Sequence, residues 1–371
     1  MKKINIDLSG ANSISGISNY IRNIASLLNN GNGYKFTGCT YWYRNRKSKD
    51  FFWFNCELSK SIVPDRFVHR NNFLVRFKYE DTLLSYADLN VFLTYHLPNV
   101  SFRAPVVSTI HDIILLKTNC ESHATIKDHE KILRETIAKS KYILSVSEAS
   151  KYDIAEYFQI DPNIIGIVHN GVDATPYIHS LTSDAISDIR RRYNLPSQFI
   201  LNFGAYRKHK NLERLLEAYS LLPADIRKEI KLVLTRGQKE LKSYAKKLGI
   251  ANDISFLGFV NEEDKPALLK MAKAIYYCSL YEGFGVPIIE AQAAGVPVIT
   301  SNTSSLPEAA GNGALLVNPY SSDEISKGLF NLVTDDDLSN KLVKQGNDNF
   351  KQYTWDRSVS EFYDFLNNTE I

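Results

Sequence analysis

No apolar run in the 371 residues approaches the ~18–20 that a membrane-spanning helix needs. Met1 to Gly10 alternate polar and apolar, lack the long apolar core of a signal peptide, and read as a strand, so a cytoplasmic protein is expected. Cysteine is scarce: Cys39, Cys56, Cys120 and Cys278 are scattered with no C-x-x-C pair, which points to reduced, buried thiols rather than a disulfide frame or a zinc site. An excess of one charge is missing too. The 44 basic and 41 acidic residues leave a net +3, too mild to argue for nucleic acid on its own. There is no low-complexity segment and no short-period repeat. No convincing metal site stands out. Asp335-Asp336-Asp337 contains a D-x-D pattern but lies late in the chain between helical runs, where it reads as a helix-capping acid cluster. His123 and His129 are not at a zinc-protease spacing.

What is present is an alternation of short β-rich runs with helical patterns from end to end, which predicts α/β domains, each a doubly wound parallel sheet with helices on both faces. The first half offers strands at Ile4–Leu8, Leu89–Leu93, Pro105–Ile110, Tyr142–Val146 and Ile164–Val168. Ile17, Tyr20, Ile21, Ile24, Leu27 and Leu28 fall at helical spacing after a turn with Gly10 and Gly16. The pattern restarts near residue 198, with strands at Phe199–Phe203, Leu232–Leu234, Ile254–Phe256, Ala274–Cys278 and Val296–Thr300 and a helix over Leu212–Leu222. We expect a first domain over 1–175, a polar linker up to about Asn194 and a second domain over 195–350. The amphipathic run after Trp355 predicts a helix within 351–371 that crosses back to the first domain. Tyrosine, at 21 residues, is abundant, as in contact surfaces but also in ordinary cores.

Four segments follow strands and carry chemistry-bearing residues. Tyr281-Glu282-Gly283-Phe284-Gly285-Val286-Pro287 leads into a helix that contains Glu290. Ligands of open α/β sheets bind at such strand ends, and the free amides of a loop and helix start favour an anion such as a diphosphate. Glu290 either stabilises its helix or accepts ribose hydroxyls. Phe203-Gly204-Ala205-Tyr206-Arg207-Lys208-His209-Lys210-Asn211 places cations at a helix start, where the macrodipole prefers acids; the alternatives are an anionic ligand and a solvated basic loop. His111, in Thr109-Ile110-His111-Asp112, is either a satisfied structural imidazole or a reacting group at a strand end. Ser301 to Glu308 is either a serine-rich turn with a helix cap or part of a site. Tyr41 to Phe54 sets four cations between two aromatic clusters, which suits peripheral contact with an anionic membrane surface or a solvated β-hairpin.

Taken in order, these elements resemble the retaining GT-B glycosyltransferases of family 4 over nearly the whole chain. Glu282…Glu290 is similar to the family's E-x7-E motif, Gly204…Lys210-Asn211 to its glycine and K-N loop, and Phe256-Leu-Gly-Phe259-Val260 to the loop whose backbone touches the nucleobase. Ser147-Glu-Ala-Ser150, Asn170-Gly-Val-Asp173 and Ser301–Glu308 match in order. The resemblance implies the GT-B fold, two Rossmann-like domains facing a central cleft, and a nucleotide-sugar donor. Lys210 would contact its diphosphate, Glu290 its ribose, Glu282 the transferred sugar, and the amides of Phe284, Gly285 and Val286 sugar and phosphate oxygens. Gly16 would approach donor or acceptor, and His111 would face the reacting sugar. Many members carry an arginine where Ala205 or Tyr206 stands here; Arg207 follows as its candidate replacement. The implied chemistry is retention by front-face departure without a metal or other cofactor. The Ser301–Glu308 loop resembles that of bacterial mannosyltransferases of surface polysaccharides, which leans to GDP-mannose and a glycan or lipid-linked saccharide acceptor. A nucleotide-sugar epimerase of the same fold and a non-catalytic nucleotide- or glycan-binding protein are the alternatives. A nicotinamide-dependent oxidoreductase is disfavoured, since Gly283-Phe-Gly285 lacks the third glycine of G-x-G-x-x-G.

Overall fold

The computed structural model describes residues 1–13, 15–41, 53–61, 76–83, 86–118, 120–178, 182–204, 206–235 and 239–370. Residues 42–52, most of the aromatic and basic segment considered for membrane contact, lie outside them. The chain divides into two compact units, Met1–Gly171 with Trp355–Ile371, and Val172–Thr354. Among the described residues no helix is long and apolar enough to cross a membrane.

The first unit contains the strands β1 (Lys2–Asp7), β2 (Tyr34–Tyr41), β3 (Glu57–Ser61), β4 (Leu89–Phe92), β5 (Val106–Thr109), β6 (Tyr142–Ser145) and β7 (Ile165–Ile167). They pair in the order β3-β2-β1-β4-β5-β6-β7, every neighbour parallel. β4 to β6 are buried almost throughout, as strands covered on both faces must be. The helix Gly16–Leu27 buries Tyr20, Ile21 and Ile24. The helix Trp355–Asn368 buries Trp355, Val359, Phe362 and Leu366. It lies on the sheet where Gly166 of β7 leaves no room for a Cβ beside the Phe365 ring.

The second unit contains β8 (Gln198–Asn202), β9 (Ile230–Leu234), β10 (Ile254–Phe256), β11 (Ala274–Tyr277), β12 (Val298–Ser301) and β13 (Leu315–Val317). Their order is β10-β9-β8-β11-β12-β13, again parallel. The strand order reverses between β8 and β11, which opens the crevice in which such sheets bind ligands. The two candidate loops at Gly204–Lys210 and Tyr281–Val286 follow those two strands.

One expectation is corrected. The stretch 172–194 is no linker, and the second unit begins at Val172 rather than residue 195. Its polar composition belongs to two helices, Thr175–Ile178 and Ser183–Tyr193, the second capped by the Thr182 side chain. The Val172 amide donates to the Tyr353 carbonyl at 2.8 Å, joining the two ends of this unit.

The C-terminal helix is fastened to the first unit by charge as well as packing. Glu361 accepts the His169 backbone N–H at 2.9 Å and its Nδ1–H at 3.0 Å. Burial alone would raise this carboxyl. The bonds from His169 outweigh it and hold Glu361 below its ordinary 4.5. A carboxyl with a depressed folded value stabilises fully above its unfolded value and loses that contribution as pH falls through the folded one. Glu361→Gln should therefore lower stability by about 1.5–3 kcal/mol at neutral pH. In urea melts the gap to the parent should close as pH falls below about 4. A gap independent of pH would contradict this account.

Candidate active site

Lys210 and Glu282 form a buried ion pair at the centre of the second unit's candidate site. Lys210 ends a short 3-10 turn, Lys208–Lys210, and Asn211 follows it with φ 60°. Asparagine tolerates that left-handed conformation, and its amide donates to the carbonyls of Cys278 at 3.2 Å and Pro319 at 2.7 Å. The Leu280 amide donates to the His209 carbonyl at 2.7 Å, tying the lysine loop to the end of β11. So held, Lys210 Nζ donates to Glu282 Oε1 and to the Tyr277 hydroxyl, both at 2.7 Å.

The pair is largely buried, with side chains 21% and 13% exposed. Burial by itself would push the Lys210 ammonium down, but the Glu282 carboxylate and Tyr277 reverse this and raise it. Burial would raise Glu282, and the charge and hydrogen bond of Lys210 hold it below the usual carboxylate range instead. Both groups are charged at neutral pH.

The loop from Glu282 is propped from below by the serine-rich segment. Ser304 Oγ donates to the Glu282 carbonyl at 2.7 Å, and Ser305 Oγ to the Phe284 carbonyl at 2.7 Å. Gly285, with φ 133°, admits only glycine, because a Cβ would also stand 3.1 Å from Ala309 and Leu306. It caps the helix Val286–Ala293, whose Pro287 needs no donor partner. The Val286 amide, in the first turn, has no acceptor within its own helix, and the dipole there favours an anion. Gly204, with φ 136° and open space around it, holds a backbone conformation that favours glycine in the loop after β8.

Glu290, in the same helix, is buried. It does not meet Lys210 but pairs with Lys265, Nζ to Oε1 at 2.5 Å. Arg207 is exposed beside Lys210's turn, while Tyr206 packs on the core and bonds Glu213. Beyond β10, Phe259 is exposed at 71% and Val260 buried. Asp335 caps the helix Asp336–Asn349 by accepting the Leu338 amide at 2.9 Å, and Asp336 pairs with Lys273. Among the described residues no group of three potential metal ligands occurs.

His111 and Gly16 belong to the first unit. Gly16 starts the helix Gly16–Leu27, capped by Ser15, beyond the carboxyl end of β1. His111 is buried, with Nε2 3.2 Å from the Leu93 carbonyl. The Tyr20 ring meets it edge-on at 4.9 Å and Trp355 at 6.2 Å. Tyr20 in turn donates to the Val168 carbonyl at 3.1 Å. With Nε2–H given to Leu93, Nδ1 keeps its lone pair.

Sequence reasoning missed Lys265, Tyr177, Tyr277 and the serine props. A third serine-to-carbonyl contact, from Ser305 Oγ to the Glu282 carbonyl at 2.9 Å, ties the Ser301–Glu308 segment to the Glu282 loop.

Two parallel α/β units with loops gathered at the strand ends match the GT-B fold. HepE of Anabaena, solved with UDP and glucose, superposes with a TM-score of 0.74 over 100% of both chains at 17% identity. Residues 14–175 match the family described as Glycosyltransferase Family 4, and residues 186–349 that described as Glycosyl transferases group 1. O-antigen chain mannosyltransferase B of Escherichia coli is 32% identical over 274 residues, 72% of this chain and 71% of that protein. The serotype-specific mannosyltransferase WbdA of Escherichia coli is 26% identical over 271 residues, 71% of this chain but 33% of that protein. The chain belongs to glycosyltransferase family 4 and is a hexosyltransferase.

Burial pushes the His111 imidazole down to about 4, against the smaller opposing pull of the Leu93 carbonyl. The ring should therefore stay neutral throughout pH 5.5–8 in an NMR titration. A His111 inflection near 6.5 would contradict its burial.

Proposed function

We propose that the enzyme transfers mannose from GDP-mannose, with retention of anomeric configuration, to a glycan or lipid-linked saccharide in surface polysaccharide synthesis. The observation that carries the donor reading is the buried Lys210–Glu282 pair between the ends of β8 and β11. An ammonium held at a switch-point crevice, beside a helix start whose Val286 amide has no acceptor within its own helix, suits a diphosphate. The mannose and polysaccharide part draws on the two Escherichia coli mannosyltransferases named above. Work at the cytoplasmic membrane face would suit a lipid-linked acceptor.

In this reading the sugar C1–O bond breaks with its electron pair going to the diphosphate. Lys210, with Arg207 beside it, and the Val286 amide stabilise the charge as it grows. The acceptor hydroxyl oxygen bonds C1 on the same face, and its proton passes to the departing phosphate oxygen. Glu282 and Glu290 come from one loop and helix of one unit, a poor arrangement for two carboxylates flanking a bond as in double displacement. Glu282, anchored by Lys210, would touch the transferred sugar. The backbone at Phe259 and Val260 would border the base. Neutral His111 would contribute a hydrogen bond to the reacting sugar rather than a charge. No metal is needed in this scheme, because cationic side chains and amides neutralise the diphosphate.

Lys210 meets charge that grows in the transition state, whereas Glu290 would grip a ribose that changes little. Lys210→Ala should therefore lower kcat at saturating donor by roughly ten- to hundredfold, on the order of 1.5–3 kcal/mol. Glu290→Gln should raise the donor KM more than it lowers kcat. Since Lys210→Ala leaves Glu282 uncompensated, the double variant with Glu282→Gln serves as the charge-balanced control. Parental kinetics in both Lys210→Ala and Glu290→Gln would place the donor site elsewhere.

Excess EDTA should leave the rate unchanged; a loss that manganese or magnesium restores would refute the metal-free scheme. In a thermal-shift screen GDP should raise the melting temperature more than UDP or dTDP at equal concentration. A larger shift with UDP would overturn the choice of base.

A further inference from the structure

Glu290 is held by two side chains that no motif singles out. Its Oε1 receives Lys265 Nζ at 2.5 Å and the Tyr177 hydroxyl at 3.2 Å. The Lys265 and Glu290 side chains are 13% and 12% exposed. Lys265 opens the helix Lys265–Met271, and Tyr177 sits on the helix Thr175–Ile178. The ammonium also lies 5.1 Å from the centre of the Phe203 ring, while its other acidic neighbour, Glu262, is 3.9 Å away and exposed. Burial and the nearby Glu290 carboxylate raise the Tyr177 hydroxyl well above its ordinary value, so it stays a donor.

The two oxygens of Glu290 are therefore unequal. Oε1 carries two donors; among the described residues none reaches Oε2. A buried carboxylate costs free energy unless its charge is paired and its lone pairs are met. Lys265 meets the charge, and the open oxygen is left for a ligand that donates a hydrogen bond. A sugar hydroxyl fits that demand. A phosphate, which donates nothing when ionised and is repelled by the carboxylate, does not.

The geometry points to Lys265 and Tyr177 as positioning residues that aim Glu290 Oε2 at a ribose hydroxyl of the donor nucleotide, so that these three residues together set the preference for ribose over deoxyribose. The inference rests on the donor reading proposed above. Lys265 and Tyr177 hold the same oxygen from two separate helices, so removal of either loosens the hold on the Glu290 side chain. The loss would fall on recognition of the hydroxyl and not on the reacting bond.

The test compares binding of GDP with 2′-deoxy-GDP and 3′-deoxy-GDP, with the UDP series in parallel, for the parent and for Lys265→Met, Lys265→Arg, Tyr177→Phe and Glu290→Gln. The parent should favour the ribonucleotide over at least one deoxy analogue by about tenfold. Lys265→Met and Tyr177→Phe should reduce that ratio to within about threefold, raise the donor KM and leave kcat at saturating donor within about threefold of the parent. Lys265→Arg, which keeps the charge, should retain most of the ratio. If Lys265→Met fails to fold because Glu290 is left unpaired, Tyr177→Phe decides alone. Two results would overturn the inference: a parental ratio in Tyr177→Phe and Lys265→Met, or an equal loss of affinity for ribo- and deoxynucleotides. Glu290→Gln separates the two levels. If it keeps the parental ratio, or if the parent binds no nucleotide, the donor reading itself fails. If it alone loses the ratio, only the role of Lys265 and Tyr177 falls.

Discussion

A lysine and a glutamate, 2.7 Å apart and mostly out of water, set the terms for the second unit. Neither charge is tolerable in that position without the other. Their union fixes the Lys210 side chain, and on the proposed donor reading this would remove part of the ordering cost that a mobile lysine imposes on binding. It also leaves the pair dependent on its surroundings. The loop that carries Lys210 must follow β8, the loop that carries Glu282 must follow β11, and the two strands must be neighbours. The reversal of strand order between them meets that condition. An arriving diphosphate would share the ammonium with Glu282 rather than recruit a free one.

The smaller contacts serve the same end. Asn211 bridges two carbonyls from separate segments and so closes the lysine turn onto β11. Ser304 and Ser305 hold the carbonyls of the Glu282 loop, and Ser304 Oγ also accepts the Glu282 amide at 3.1 Å. In the first unit the equivalent work falls to aromatic rings. Tyr20 stands between His111 and Trp355, so the C-terminal helix, pinned by Glu361 and His169, supports the ring that packs on His111. The imidazole is thereby kept dry, neutral and in one tautomer. A histidine so enclosed suits hydrogen bonding better than proton shuttling at neutral pH.

The alternation of strands and helices was legible in the sequence because a parallel sheet buries both faces and leaves nearly continuous apolar runs, such as Ala274–Cys278 and Tyr142–Val146 with its single Ser145. β13 was not, since three residues, Leu315–Val317, carry too little pattern to separate them from a loop. β2 alternates weakly through Thr37 and Gly38, and its neighbour β3 is short and polar. The stretch 172–194 misled through its polarity. Ser183–Tyr193 is a surface helix that buries only Ile189, so it looks like a linker until its cap and partners are seen. The site divides along the same line. Loops after strands, glycines with positive φ and the Glu282…Glu290 spacing are local features and could be read directly. Tyr177 lies 113 positions and Lys265 25 positions from the glutamate that both contact, and no local spacing reports such a pairing. Asn211 was read with the lysine as part of one loop motif; its side chain bonds two carbonyls, a role that only the tertiary structure reveals.

The most direct test of the central claim is a crystal structure of the chain with GDP bound. The account predicts that the diphosphate lies within hydrogen-bonding distance of Lys210 Nζ and of the Val286 amide, with Glu282 still bonded to the lysine and a ribose hydroxyl on Glu290. A diphosphate bound away from Lys210, with the Lys210–Glu282 pair undisturbed and Glu290 untouched, would contradict it.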